Sequence, residues 1–293
     1  MPTLLPRFAI EQPSSLPEAS QMLAEYGDDG RAYAGGTELL LAMKQGVLAY
    51  DHLIDLKTVT GLDGIERQDS TLRIGALATH RQLQDSPTVR TALPVLAGLE
   101  GKVANPRVRS CGTIGGNLCF AEPHSDPATL LVCLDADVEI FGPGGVRKAS
   151  IGEFLQGPFE VALDPAEILV AIDVPLQRLS EGAAYLKVQS AERPTLGIAL
   201  TVDLDEDRQT VRATRVTIGS VSPIPYRASD VEDLLRGPVA DVERRLDDAA
   251  EQLASGADLV DSLEADVAQQ RRLIRSMLRR AFGEAVSSVG RPH

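Results

Sequence analysis

The chain has 293 residues, 43% hydrophobic and 24% charged, with a formal net charge of -13. That length exceeds the usual single domain and can bury a sizeable core, so two domains, or one with a smaller appendage, are expected. The negative balance excludes generic nucleic-acid binding, which needs clustered Lys and Arg, and no apolar run reaches membrane-spanning length. Along the chain, Leu16 to Tyr26 reads as a helix with Ser15 as N-cap, Pro17 and Glu18 in its first turn and Gly27 as its stop. A strand "RAYA" runs into Gly35-Gly36, and "TELLLAMKQG" resumes helical spacing with Thr37 as cap and Gly46 as breaker. "HLIDL" and "TLRIGALAT" read as strands, and the segment from His80 to Val103 as helix interrupted by Pro87 and Pro94.

"DPATLLVCLDA" follows as a helix with Asp126 at its N-cap and Pro127 at its first position. "DVEIFG", "VRKASIGEFL" and "EILVAIDVP" read as strand, strand into short helix, and strand. Pro175 and the polar run after it mark a domain boundary near residues 175 to 182. Beyond it, "AAYLKVQ", "IALTVDLDED" and "VRATRVTIGSV" read as strands, with Asp205 to Asp207 as a hairpin connection. Helices from Ala240 to Ala254 and from about Leu263 to Phe282 close the chain, so the second domain is expected to be a small sheet backed by helices.

The three cysteines, Cys111, Cys119 and Cys133, form no C-x-x-C, which fits a reducing compartment and leaves no ligand set for zinc or an iron–sulfur centre. The N-terminus has no signal or transit pattern, so a cytoplasmic location is expected. His80 and His124 lack partners at metal-ligand spacing, and Glu122 and Asp126 lie in a proline-bounded turn that suits binding and capping better than acid–base work. No nucleophile motif is present, so no catalytic residue and no metal ligand is assigned.

Two glycine pairs carry the functional signal. Gly35-Gly36 and Gly115-Gly116 each precede a polar residue and an apolar helix or turn. Paired glycines can adopt positive φ, approach a ligand closely and present successive N–H groups to an anion. Thr37, Thr113 and Asn117 could add hydrogen bonds, and Asp126 suits ribose hydroxyls. Neither pair is a Rossmann G-x-G-x-x-G, and no Walker motif exists.

"AGGTELLLAMK", "HLIDLKTVTGLDGI", "LRIGALATH" and "SCGTIGGNLCFAEPHSDPATLLVCLDADVEI" resemble the FAD-binding medium subunit of the molybdenum hydroxylases, the xanthine dehydrogenase and carbon monoxide dehydrogenase family. The resemblance continues through "YLKVQ", "VTIGSVSPIPYRASDVEDLL" and "RRLIRSMLRRAF". It implies an α+β fold: an FAD-binding domain of the p-cresol methylhydroxylase and vanillyl-alcohol oxidase type over residues 1–177, in two α+β subdomains split near 57. A small C-terminal α/β domain over 178–293 would follow.

By the same resemblance, Ala34, Gly35, Gly36, Thr37 and Glu38 hold the FAD pyrophosphate on one side, and Thr113, Ile114, Gly115, Gly116 and Asn117 on the other. Asp126 falls where an acid meets the adenosine ribose, and Lys187 where a lysine approaches the flavin region. Many relatives carry an Asp and an aromatic after that lysine, where this chain has Pro194 and Thr195, and it lacks the cysteine-rich insertion of the 4-hydroxybenzoyl-CoA reductase branch.

The expected function is an electron-transfer subunit, passing electrons from 2Fe-2S clusters of a small partner subunit to NAD, a quinone or another carrier. Substrate oxidation would fall to a large molybdopterin-containing subunit, within a dimer of heterotrimers; the carbon monoxide dehydrogenase medium subunit is one specific case. Two other readings are a self-sufficient FAD-dependent oxidoreductase of the same fold and a nucleotide-binding module without redox activity. The arginines Arg271, Arg272, Arg275, Arg279 and Arg280 make the last helix basic, either as a solvated face or as a docking surface for another subunit.

Overall fold

The computed structural model describes residues 4–176, 182–189, 193–261 and 265–289, so the expected boundary at 177/178 lies outside the described residues. The chain starts with a three-stranded parallel sheet in the order Ala9–Glu11, His52–Asp55, Gly30–Tyr33. Parallel neighbours need crossover connections, and the helices Leu16–Tyr26 and Leu39–Lys44 supply them. Ser15 caps the first by accepting from the Glu18 N–H, and Gly27 ends it with a φ of 52°.

A five-stranded antiparallel sheet follows, ordered Ile65–Gln68, Thr71–Gly75, Ile168–Pro175, Asp137–Gly142, Gly145–Ser150. The expected strand through Thr79 stops at Gly75, because Thr79 leaves the ladder to close a capping box with Gln82 on the helix His80–Asp85. The expected long helix is three short ones, His80–Asp85, Pro87–Ala92 and Pro94–Glu100, each proline starting a new helix where its missing N–H costs nothing. Two more helices follow: Pro106–Cys111, in a stretch with no expected element, and Ile114–Phe120, which contains the second glycine pair instead of following it.

The C-terminal part is an antiparallel meander of Gly182–Gln189, Pro194–Leu204, Thr210–Gly219 and Tyr226–Arg227. The strand period of two divides its side chains between two cores. Ile198, Leu200, Val202, Val216 and Ile218 pack with Leu246, Leu278 and Phe282 of the helices Val239–Gly256 and Val267–Ser288. Tyr185 and Ala199 instead join the core of the middle sheet. The intervening helix Asp126–Cys133 lies against this second face, where a Cβ on Gly219 would sit 1.9 Å from Thr129 Oγ1. Gly219→Val is therefore expected to overpack that junction and destabilise the protein by roughly 1–3 kcal/mol, read as a lower midpoint in urea.

The last helix is capped by Asp266 at Val267; its expected start at Leu263 lies outside the described residues. Two of its arginines reach the preceding helix: Arg271 Nη1 is 2.7 Å from Glu251 Oε1 and Arg279 Nη2 is 2.8 Å from Asp247 Oδ1. Such half-exposed pairs contribute little individually. They give these two arginines partners within the chain, in keeping with the solvated-face reading of the helix.

Candidate functional site

Strand Gly30–Tyr33 delivers the chain into the first glycine turn. Gly36 has a φ of 69°, which only glycine adopts without cost, and a Cβ there would lie 2.5 Å from the Tyr33 ring. Thr37 is not the helix cap: Glu38 holds that position without a side-chain bond, and Thr37 Oγ1 instead lies beside Gly112, 3.4 Å from where a Cβ would stand. Among the described residues, the backbone N–H groups of Gly35, Gly36, Thr37 and Glu38 donate to no acceptor. Consecutive free donors on a turn make a concavity suited to an anion. Lys57 steadies the turn, its Nζ donating to Ala34 O at 3.0 Å while lying 3.8 Å from the Tyr33 ring centroid.

The second pair differs. Neither Gly115 nor Gly116 has positive φ, because Thr113 caps the helix Ile114–Phe120 and draws both into its first turn. Their donors are already used: Gly115 N–H to Ala76 O at 2.8 Å, Gly116 N–H to Thr113 Oγ1 at 3.1 Å, and Asn117 N–H to Thr113 O at 2.9 Å. Ile114 N–H likewise donates to Ala78 O at 3.0 Å. What these glycines provide is close approach. A Cβ on Gly115 would come within 2.6 Å of Ala76, and one on Gly116 would reach Ala34 Cβ at 3.9 Å.

The two turns therefore meet. A Cβ on Gly35 would stand 2.1 Å from Cys111 O, so the first turn is seated on the end of the helix Pro106–Cys111. Beside the junction, between the first sheet and the second, lies a cavity of about 560 Å³. Ala34, Gly115 and Gly116 form part of its wall, with Arg31, Cys119 and Phe159 further along. Its size is in the range of cofactor pockets.

Asp126 and Lys187 do not line that cavity. Ser125, not Asp126, is the N-cap of the following helix, its hydroxyl accepting from Ala128 N–H and donating to Asn117 Oδ1 at 2.6 Å. The one-residue shift puts Asp126 in the first turn, 6% exposed, where it accepts from Tyr185 Oη–H and from Lys187 Nζ at 2.7 Å. Lys187 also donates to Lys102 O at 2.8 Å. Burial, and then the Asp126 charge, hold the Tyr185 phenol well above its ordinary range.

Arg193 makes a second tie between the C-terminal sheet and the site. Its Nη1 is 2.6 Å from Glu122 Oε1 and its Nη2 3.6 Å from Glu38 Oε2. Burial would raise the Glu122 carboxyl, but hydrogen bonding and charge from His124 and Arg193 outweigh it and hold the group below its usual range. Glu122 is thus a satisfied anion and no partner of Asp126 in proton transfer. Tyr185, Arg193 and the wall residues Arg31 and Phe159 had no local signal in the sequence. His80 has a partner too distant in sequence to be read: its Nδ1 is 2.6 Å from Glu100 Oε2, both side chains nearly fully buried.

Burial pushes the Cys119 thiol up to about 12, with Arg31 opposing, and the buried Cys133 thiol likewise to about 12. Cys111 is exposed. Iodoacetamide at mildly alkaline pH is expected to alkylate Cys111 alone, because only the thiolate reacts. Peptide mass spectrometry checks this, and equal labelling of half-buried Cys119 would contradict its raised thiol.

An open N–H concavity, a facing pair of glycines and an adjoining cavity of ligand size suit a diphosphate joined to flat rings, which is the chemistry of FAD. Comparison with known proteins agrees. Residues 6–177 match the FAD binding domain in molybdopterin dehydrogenase, and residues 184–285 match the CO dehydrogenase flavoprotein C-terminal domain. The chain belongs to the FAD-binding subunits of the molybdenum hydroxylase family and is an FAD-dependent oxidoreductase component. It is 31% identical to the carbon monoxide dehydrogenase medium chain of Hydrogenophaga pseudoflava over 282 residues, 96% of this chain and 97% of that one. It is 29% identical to the xanthine dehydrogenase FAD-binding subunit of Escherichia coli O157:H7 over 282 residues, 94% and 95% of the two chains. The solved carbon monoxide dehydrogenase from Hydrogenophaga pseudoflava that lacks the Mo-pyranopterin moiety superposes with a TM-score of 0.92 at 30% identity, covering 97% of this chain and 99% of its own.

Proposed function

We propose that this chain is the electron-transfer flavoprotein of a multi-subunit molybdenum hydroxylase. It would take electrons from 2Fe-2S clusters of a small partner subunit and pass them to NAD, a quinone or another carrier, while a large molybdopterin-containing subunit oxidises the substrate. The observation that carries this reading is the junction of the open Gly35–Glu38 turn with Gly115 and Gly116 beside a cavity. In it, Ala34 to Glu38 and Thr113 to Asn117 grip the cofactor diphosphate, the first turn through its N–H groups and the second through close approach. On this reading Asp126 contacts the ribose, and Lys187 holds the Asp126 side chain in position.

Bound FAD supplies the capacity to accept and release electrons. The protein supplies binding, orientation and the tie to the C-terminal domain through Lys187 and Arg193. The division into 1–177 and 178–293, the dimer of heterotrimers and the cytoplasmic location belong to the same proposal. No helix among the described residues is long and apolar enough to cross a membrane. The named relatives support a carbon monoxide-oxidising complex as one specific assignment.

Purification of the tagged chain from its native extract, with identification of companion chains and metal analysis, tests the reading. Two companions with iron and molybdenum are expected. A lone chain that turns over a substrate by itself would overturn it.

A further inference from the structure

The cavity has an aromatic at its rim that the fold does not need. The strands Leu155–Gly157 and Glu160–Val161 pair antiparallel, and Phe159 lies in the connection between them with a φ of 61°. A bulky L-residue is disfavoured there, and a turn needing positive φ is ordinarily given to glycine or asparagine. The Phe159 ring is also 60% exposed, so it does not offset the backbone cost by core burial. Its backbone is firmly held: its N–H donates to Ala121 O at 2.8 Å, and Ala121 ends the helix that begins at the second glycine pair. The ring meets Phe120 edge to face at 5.4 Å between centroids and contributes to the cavity wall with Cys119 and Val161.

Strain of this kind clusters at ligand sites, and Phe159 combines it with a bulky ring at a cavity rim. We propose that Phe159 is a specificity-determining residue for the cofactor, packing against whichever planar heteroaromatic ring of FAD, adenine or isoalloxazine, occupies this cavity. The assignment rests on the glycine turns as the diphosphate site, since they set which space the rings can enter. Next to the ring the wall offers apolar contact: Cys119 stays a neutral thiol, and the Phe120 and Phe159 rings meet edge to face at 81°.

The experiment is a fluorescence titration of the full-length apoprotein with FAD and with FMN, for the wild type and for Phe159→Ala, Phe159→Gly and Phe159→Tyr. Ala and Gly are expected to raise the Kd for FAD about tenfold, with Tyr within about twofold of wild type. Weakening for FAD alone identifies the ring as adenine, and weakening for both flavins identifies it as isoalloxazine; either outcome supports the proposal. Wild-type affinity for both flavins in the Ala and Gly variants would overturn it, as would a Tyr variant as weak as Ala. Because Gly relieves the backbone strain, binding restored in Gly but lost in Ala would also overturn it, showing a folding effect. The underlying site fails separately if Gly36→Val binds FAD as tightly as wild type, whatever happens at Phe159.

Discussion

Gly36→Val is expected to yield a folded protein that purifies without FAD. Valine at a φ of 69° meets the steric penalty of the left-handed region, about 1–2 kcal/mol for an ordinary L-residue, and branching at Cβ worsens it. Its Cβ would also stand 2.5 Å from the Tyr33 ring, which Lys57 covers, so the turn rather than the ring must shift. A shift redirects the N–H groups of Gly35 to Glu38, the donors available to a diphosphate. Losing two charge-assisted bonds costs about 3–6 kcal/mol. Binding would weaken by roughly 150- to 20,000-fold. The ratio of flavin to protein absorbance after gel filtration measures occupancy, and far-UV circular dichroism checks the fold. Full occupancy would remove the turn from the site.

Asp126→Ala should damage the protein more than it damages the cofactor contact. The change leaves the Lys187 ammonium, 10% exposed, without its carboxylate, and leaves the Tyr185 hydroxyl without its acceptor. Breaking one side of a buried ion pair costs about 3–5 kcal/mol, because the surviving charge keeps its desolvation penalty. In a chain of this length that corresponds to a fall in Tm of roughly 10 °C. Asp126→Ala with Lys187→Met removes both charges and should recover much of the loss, so the double-mutant cycle measures the pair directly. Calorimetry on the four proteins decides it: a single variant as stable as wild type would mean that the pair is not what joins the domains. The ribose role predicts in addition a weakening of FAD binding by about 1 kcal/mol, read in the double variant, where no buried charge is left unpaired.

What could be read without coordinates follows the range of the forces involved. The helix Leu16–Tyr26 was legible because its cap, its first-turn proline and its stop are neighbours in sequence. The same held for the C-terminal strands, whose alternating apolar residues carry their own period. The glycine pairs were visible as residues, but their conformations were not. Gly36 takes positive φ while Gly115 and Gly116 are helical, and the choice is made by the Thr113 cap and by Ala76, far along the chain.

The sequence by itself determined the family, the ordered succession of elements and the two turns that bear the cofactor proposal, since composition, capping residues and motif spacing are local properties of the chain. Tertiary structure alone decided that Gly35 rests on Cys111 and that Asp126 is held by Tyr185 and Lys187. It also decided that Arg193 reaches back to Glu122 and that Phe159 stands at the cavity rim. Those contacts join residues about 60 to 80 positions apart, or join elements from different sheets. Which of many possible partners a buried charge or a bare backbone meets is chosen by packing around a common core, and packing is not written in any short window of the chain.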